Sequence, residues 1–116
     1  MKKWILILSI LIIFITGCNS ASKSTNPAWV DRLIKKFESQ PIGNPPQSIW
    51  SYEYQGRTVY YIPAQCCDQY SRLYNTKGKQ ICAPDGGLTG SGDGKCTDFM
   101  SKRSNEHLIW KDSRTP

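Results

Sequence analysis

IWSYEYQGRTVYYI, residues 49–62, decides the fold. Side chains alternate from Ile49 to Tyr54, and β-branched and aromatic residues dominate from Arg57 to Ile62. That is the period-two signature of two strands. Gln55-Gly56 between them makes a two-residue turn, and glycine at the second position accepts the positive φ that such turns need. The register predicted by this turn sets Tyr54 opposite Arg57, Tyr52 opposite Val59 and Trp50 opposite Tyr61 on one face. The other face carries Ser51 with Tyr60, Glu53 with Thr58 and Ile49 with Ile62. The first set is the more apolar, so it is expected to pack on a helix. Pro63 ends the second strand.

That helix is predicted upstream. Asn26-Pro27 offers a cap followed by proline at the first helical position. Trp29, Val30, Leu33, Ile34 and Phe37 then recur on one face, with Asp31, Arg32, Lys35, Lys36 and Glu38 on the other. Gln40-Pro41 and Gly43 close it. Pro-rich residues 44–48 lead into the hairpin. A second, shorter hairpin pairs Arg72-Leu73-Tyr74 with Gln80-Ile81-Cys82 across Asn75-Thr76-Lys77-Gly78. Residues 84–95 hold glycines 86, 87, 90, 92 and 94 and read as an ordered loop pinned between Cys82 and Cys96. Beyond Phe99 the chain turns polar, and His107-Leu108-Ile109-Trp110 reads equally as a short edge strand or as part of a loose tail. The expected class is α+β: one N-terminal helix packed on a small antiparallel β-sheet of hairpins, with a disulfide-pinned Gly-rich loop. The domain spans residues 28–100 and a polar C-terminal tail residues 101–116.

The N-terminus carries a different signal. Lys2-Lys3 precedes WILILSILIIFI (residues 4–15), in which Ser9 is the one polar side chain. This is the layout of an export signal, and it is short of the roughly 20 apolar residues a membrane-spanning helix needs. Ile15-Thr16-Gly17-Cys18 closes the run and resembles the lipobox of bacterial lipoproteins, whose cleavage removes residues 1–17 and leaves Cys18 as the lipid-bearing N-terminus. The competing reading is an uncleaved signal anchor with an incidental thiol. A thioether-linked diacylglycerol with a further amide-linked chain, of the palmitate type, supplies two or more anchors, and two bind stably at about 0.8 kcal/mol per buried methylene. Residues 18–27, the lipidated Cys and NSASKSTNP, form a flexible tether.

Net charge is +6, but Lys2 and Lys3 leave with the leader, and the other basic residues (Lys35-Lys36, Lys77, Lys79, Lys102-Arg103) are scattered. They read as a solvated surface with at most mild attraction to anionic headgroups, and no nucleic-acid partner is expected.

With Cys18 assigned to lipid, Cys66, Cys67, Cys82 and Cys96 remain, and an even count in a small exported domain reads as two disulfides. A vicinal Cys66–Cys67 bond is disfavoured, because adjacent α-carbons lie about 3.8 Å apart and disulfides usually want about 4.4–6.8 Å. Cys67–Cys82 with Cys66–Cys96 is the preferred pairing, the short hairpin returning residue 82 near the start of its partner strand. Zinc and a redox-active pair are the rivals; adjacent ligands at 66 and 67 depart from zinc spacing. Asp85, Asp93 and Asp98 invite a calcium reading, but their spacing is not that of an EF-hand and Lys95 sits among them. Ordinary Asp-Gly turn chemistry explains them. The glycines are not a phosphate-binding loop, since no strand-loop-helix unit surrounds them.

The succession VYYIPAQCCDQYSRLYN, KGKQIC and PDGGLTGSGDGKCTDF resembles a family of small bacterial lipoproteins, common in Bacteroidetes-type envelopes, whose domain has no assigned function. The resemblance covers roughly residues 28–99. It implies an envelope location and a shared fold, and it carries no activity. Some lipoproteins of such bacteria reach the cell surface through an acidic run just after the lipidated cysteine; Asn19-Ser20-Ala21-Ser22-Lys23 has none, which favours an inward-facing protein on the periplasmic face of the outer membrane.

His107 is the one histidine and lies in the expected tail, so no positioned base of the Ser-His or Cys-His type is in sight. The expected role is a non-enzymatic, membrane-anchored interaction module without catalytic residues, cofactor or metal. Its partners are the membrane, through Cys18, and an envelope protein or polymer. The alternative is an inhibitor of a protease or other hydrolase that inserts residues 83–95 into its target.

Overall fold

The hairpin over residues 49–62 forms with the predicted register. In the computed structural model, which describes residues 17, 24–66 and 68–116, β1 (Ser48–Tyr54) pairs antiparallel with β2 (Arg57–Ile62). Trp50 lies opposite Tyr61, Tyr52 opposite Val59 and Tyr54 opposite Arg57. Gln55 and Gly56 both have positive φ, 53° and 71°, the pattern of a type I′ turn, which twists with its strands. The second hairpin also forms, as β3 (Arg72–Tyr74) and β4 (Gln80–Cys82), and β3 adds to β2.

Residues 101–116, expected as a polar tail, instead contain the end of a short helix α2 (Phe99–Lys102) and an eight-residue strand β5 (Ser104–Lys111). β5 pairs antiparallel with β1 and completes a five-stranded sheet of order β4-β3-β2-β1-β5. Two register shifts against β1 and a positive φ at Asn105 (53°) mark it as an irregular edge strand. The chain beyond β5 is also held. The Asp112 N–H donates to the Gln47 carbonyl, and Arg114 donates to the Asp112 carboxylate at 2.7 Å. Arg114 also donates to the carbonyls of Phe37, Glu38 and Gln40. A guanidinium at a helix C-terminus satisfies carbonyls that have no partner within the helix.

Helix α1 spans Ala28–Glu38. Its cap residue is Pro27, one position later than predicted, and Asn26 reaches instead to the Asp31 carboxylate. The face of the sheet that α1 covers differs from expectation. Val30 and Phe37, with Trp29, Leu33 and Ile34 beside them, pack on Ile49, Tyr60 and Ile62. The face of Tyr52, Tyr54, Val59 and Tyr61, which Leu73 and Cys82 extend across β3 and β4, is covered by Phe99. The physical reason lies in the hydroxyl groups. Ile49 and Ile62 are fully buried and ask only for apolar partners, whereas three tyrosines on one face need polar partners for their O–H groups. The apolar stripe of α1 has none to offer; the segment from Asp85 to Glu106 does.

Candidate functional site

Two features lie on and beside the tyrosine face: a braced loop and a cleft. The loop is closed by a Cys82–Cys96 disulfide with α-carbons 6.1 Å apart. This corrects the expected pairing of Cys82 with Cys67 and of Cys96 with Cys66. The Gly-rich chain doubles back on itself and returns residue 96 to the end of β4. Gly92 (φ +69°) makes this possible, since a Cβ there would stand 2.0 Å from the Ala83 carbonyl oxygen. Around it the Gly92 N–H donates to the Gly86 carbonyl and the Asp93 N–H to the Ala83 carbonyl. The Asp93 carboxylate accepts the Ala83 N–H. The Gly90 N–H bonds back to the Gly87 carbonyl, so Leu88 rides at the tip of a tight turn, 87 % exposed.

Three tyrosine hydroxyls hold this covering segment down. Tyr61 donates to Asp85 at 2.6 Å, Tyr52 to Glu106 at 3.0 Å, and Tyr54 to Asp98. Burial first, and then the Asp85 carboxylate, push the Tyr61 phenol far above its ordinary value. Burial and Glu106 raise Tyr52, the hydrogen bond to Asp98 raises Tyr54, and burial raises Tyr60. A group raised by folding contributes stability that is intact below its unfolded value, about 10 for tyrosine, and is lost as pH climbs beyond it. In an alkaline titration, phenolate absorbance from these four residues should appear only as the circular dichroism signal collapses, above about pH 10. Ionisation of all four ahead of any structural change would contradict the three bonds and the burial of Tyr60.

The cleft opens beside the loop, about 810 Å³ in volume, at the end of the sheet where the β1–β2 and β3–β4 turns lie. Arg57 enters from the start of β2, Lys77 from the β3–β4 turn and Lys95 from the loop just before Cys96. Thr58, Asn75 and Thr76 add polar groups, and Val59, Ile81 and Cys96 an apolar wall; no carboxylate lines it. The turn that carries Lys77 is itself fixed. Asn75 Oδ1 accepts the N–H groups of Lys77 and Lys79, and the Thr76 carbonyl accepts the Trp29 indole N–H at 2.8 Å. None of the three cations is in an ion pair among the described residues, where Arg114 with Asp112 is the pair that forms. The nearby Asp93 carboxylate accepts the Lys95 N–H and is held below the usual range chiefly by that bond.

Cys18, Ile15 and Thr16 of the expected lipobox, and Cys67 lie outside the described residues. Cys66 is exposed and disulfide-bonded. His107 sits on β5, exposed, with Nε2 3.0 Å from Asn105 Oδ1. Asp85, Asp93 and Asp98 serve three separate sets of donors, and among the described residues no three metal-ligating side chains converge. Among those residues no helix is long and apolar enough to cross a membrane. The convergence of Arg57, Lys77 and Lys95 was missed, because along the chain they look scattered. The available signal was topological: in an antiparallel meander, the turn after β1 and the turn after β3 share one end of the sheet.

Residues 35–112 match a family model, Domain of unknown function (DUF6970), and the chain belongs to that family. The match runs from the second half of α1 through β5 to Asp112. No curated protein and no solved structure matches the chain.

Proposed function

We propose that this chain is a small lipoprotein of a Bacteroidetes-type cell envelope, lipidated at Cys18, facing the periplasm from the outer membrane. It acts there as a non-enzymatic binding module. Its α+β fold, with α1 on one face of the sheet and the braced loop on the other, serves as a stiff support for the cleft and the loop tip, which meet an envelope protein or polymer. The observation that carries the binding role is rigid presentation: a solvent-open, positively lined cleft whose walls are locked by Asn75, Trp29 and the Cys82–Cys96 bond. The anchor rests on Lys2-Lys3, the apolar run and Ile15-Thr16-Gly17-Cys18. Mass spectrometry of the full chain from an envelope-bearing host is the test. The expected product begins at Cys18, carries acyl mass, and loses both properties in Cys18→Ser. An intact, fatty-acid-free chain beginning at Met1 would overturn the anchor.

Inhibition of a hydrolase through residues 83–95 is the second reading, favoured by the exposure of Leu88 at a braced tip. The tight turn at 87–90 counts against insertion as an extended strand. Unchanged activity of a panel of secreted proteases in the presence of the chain would remove it.

A further inference from the structure

We propose that the cleft between the β1–β2 turn, the β3–β4 turn and Lys95 is a binding site for a phosphoryl group carried on a small organic body. This rests on the binding-module reading and names its ligand. Three cations from three separate segments reach one opening, no carboxylate lines it, and none of the three is in a salt bridge among the described residues, although the Asp93 carboxylate attracts Lys95 from outside the lining. Left alone, like charges gathered in this way repel, and a divalent anion relieves that repulsion. Phosphate fits the donor set. The planar fork of Arg57 can grip two oxygens at once while Lys77 and Lys95 act as compact point charges. Thr58, Thr76 and Gln55 supply neutral polar groups at the same opening. A bare inorganic anion would leave most of the space unused: about 810 Å³ falls in the range of sites for small organic ligands. Val59, Ile81 and Cys96 offer apolar contact to the rest of the molecule.

The ester bearing that phosphate is either free in solution or the headgroup of a lipid, and both present the same chemistry. The test uses the full chain in a neutral detergent, with calorimetric titration by glycerol 3-phosphate, inorganic phosphate and acetate, and by mixed micelles containing phosphatidic acid or phosphatidylcholine. Glycerol 3-phosphate is expected to bind at least tenfold more tightly than acetate, with affinity falling as salt rises. Arg57, Lys77 and Lys95 are all exposed, so the triple variant Arg57→Gln, Lys77→Gln, Lys95→Gln keeps its circular dichroism and should lose at least tenfold in affinity. Phosphatidic acid micelles binding more tightly than glycerol 3-phosphate assign the lipid source, and equal or weaker binding assigns the soluble one. No heat with any phosphate, equal affinity for acetate, or undiminished binding by the triple variant overturns the proposal. Release of inorganic phosphate from glycerol 3-phosphate would overturn the non-enzymatic reading and leave the ligand class standing.

Discussion

Phe99→Ala should destabilise the domain by about 3–5 kcal/mol, the usual result of deleting a fully buried phenyl ring. Phe99 has no exposed surface and meets Tyr52, Tyr54 and Tyr61 at ring-centroid distances of 5.6, 5.3 and 5.5 Å. It is the buried residue of the four-residue helix α2, so nothing else in that turn can take its place. Arg103 lies 4.6 Å above the Tyr52 ring and 5.6 Å from that of Phe99, closing the outer side of the cluster. Removing the phenyl ring opens a cavity between three tyrosines whose hydroxyls are all engaged with carboxylates, so they cannot tilt inward to fill it without breaking those bonds. Against a total stability of about 5–15 kcal/mol for a domain, the loss brings the variant close to unfolding. Urea unfolding followed by circular dichroism should show a large fall in midpoint for Phe99→Ala and a small one for Phe99→Leu, which conserves much of the volume. The neighbouring Met100→Ala, at a position 41 % exposed, should be close to neutral. Equal effects at 99 and 100 would contradict the assignment of Phe99 as the keystone of the tyrosine face.

The tyrosine face also shows what could be read along the chain and what could not. Residues 49–62 declared both strands, the turn and five cross-strand pairs, because alternation and Gln55-Gly56 are local signals. α1 was equally legible from its spacing. Which face α1 covers was not, because apolarity counted residue by residue ranks tyrosine with isoleucine and ignores the hydroxyl. The decision between faces is made by Asp85, Asp98 and Glu106, which lie 24, 44 and 54 residues from the tyrosines they bind. β5 was hard to see for a related reason. SNEHLIWK has little strand character in its first half and becomes a strand because β1 presents unpaired backbone groups to it. The cleft needed two turns and a loop brought together before three scattered cations became one site.

Replacing Cys82 and Cys96 together by alanine should remove about 3 kcal/mol, the chain-entropy value for closing a loop of about 15 residues, and should do so unevenly. The bond spans 14 positions and ties the last residue of β4, the outer strand, to the residue that precedes the Asp98-Phe99 turn. It therefore stands between the loop and the tyrosine cluster, in which Cys82 is buried and Cys96 half-buried. β1, β2 and β5 do not depend on it for their ladders. Amide hydrogen exchange should rise first and furthest at Gly92 and Asp93, whose N–H groups bond to Gly86 and Ala83 inside the loop. Val59 and Tyr60, in the middle of the sheet, should follow only at the global unfolding rate. Lys95 adjoins Cys96 at the cleft, so the same variant should bind glycerol 3-phosphate more weakly even under conditions where the sheet stays folded. Uniform acceleration across loop and sheet would mean that the disulfide guards the whole domain rather than the loop. Unchanged exchange at Gly92 and Asp93 would mean that the glycine backbone and the Tyr61–Asp85 bond hold the loop without it.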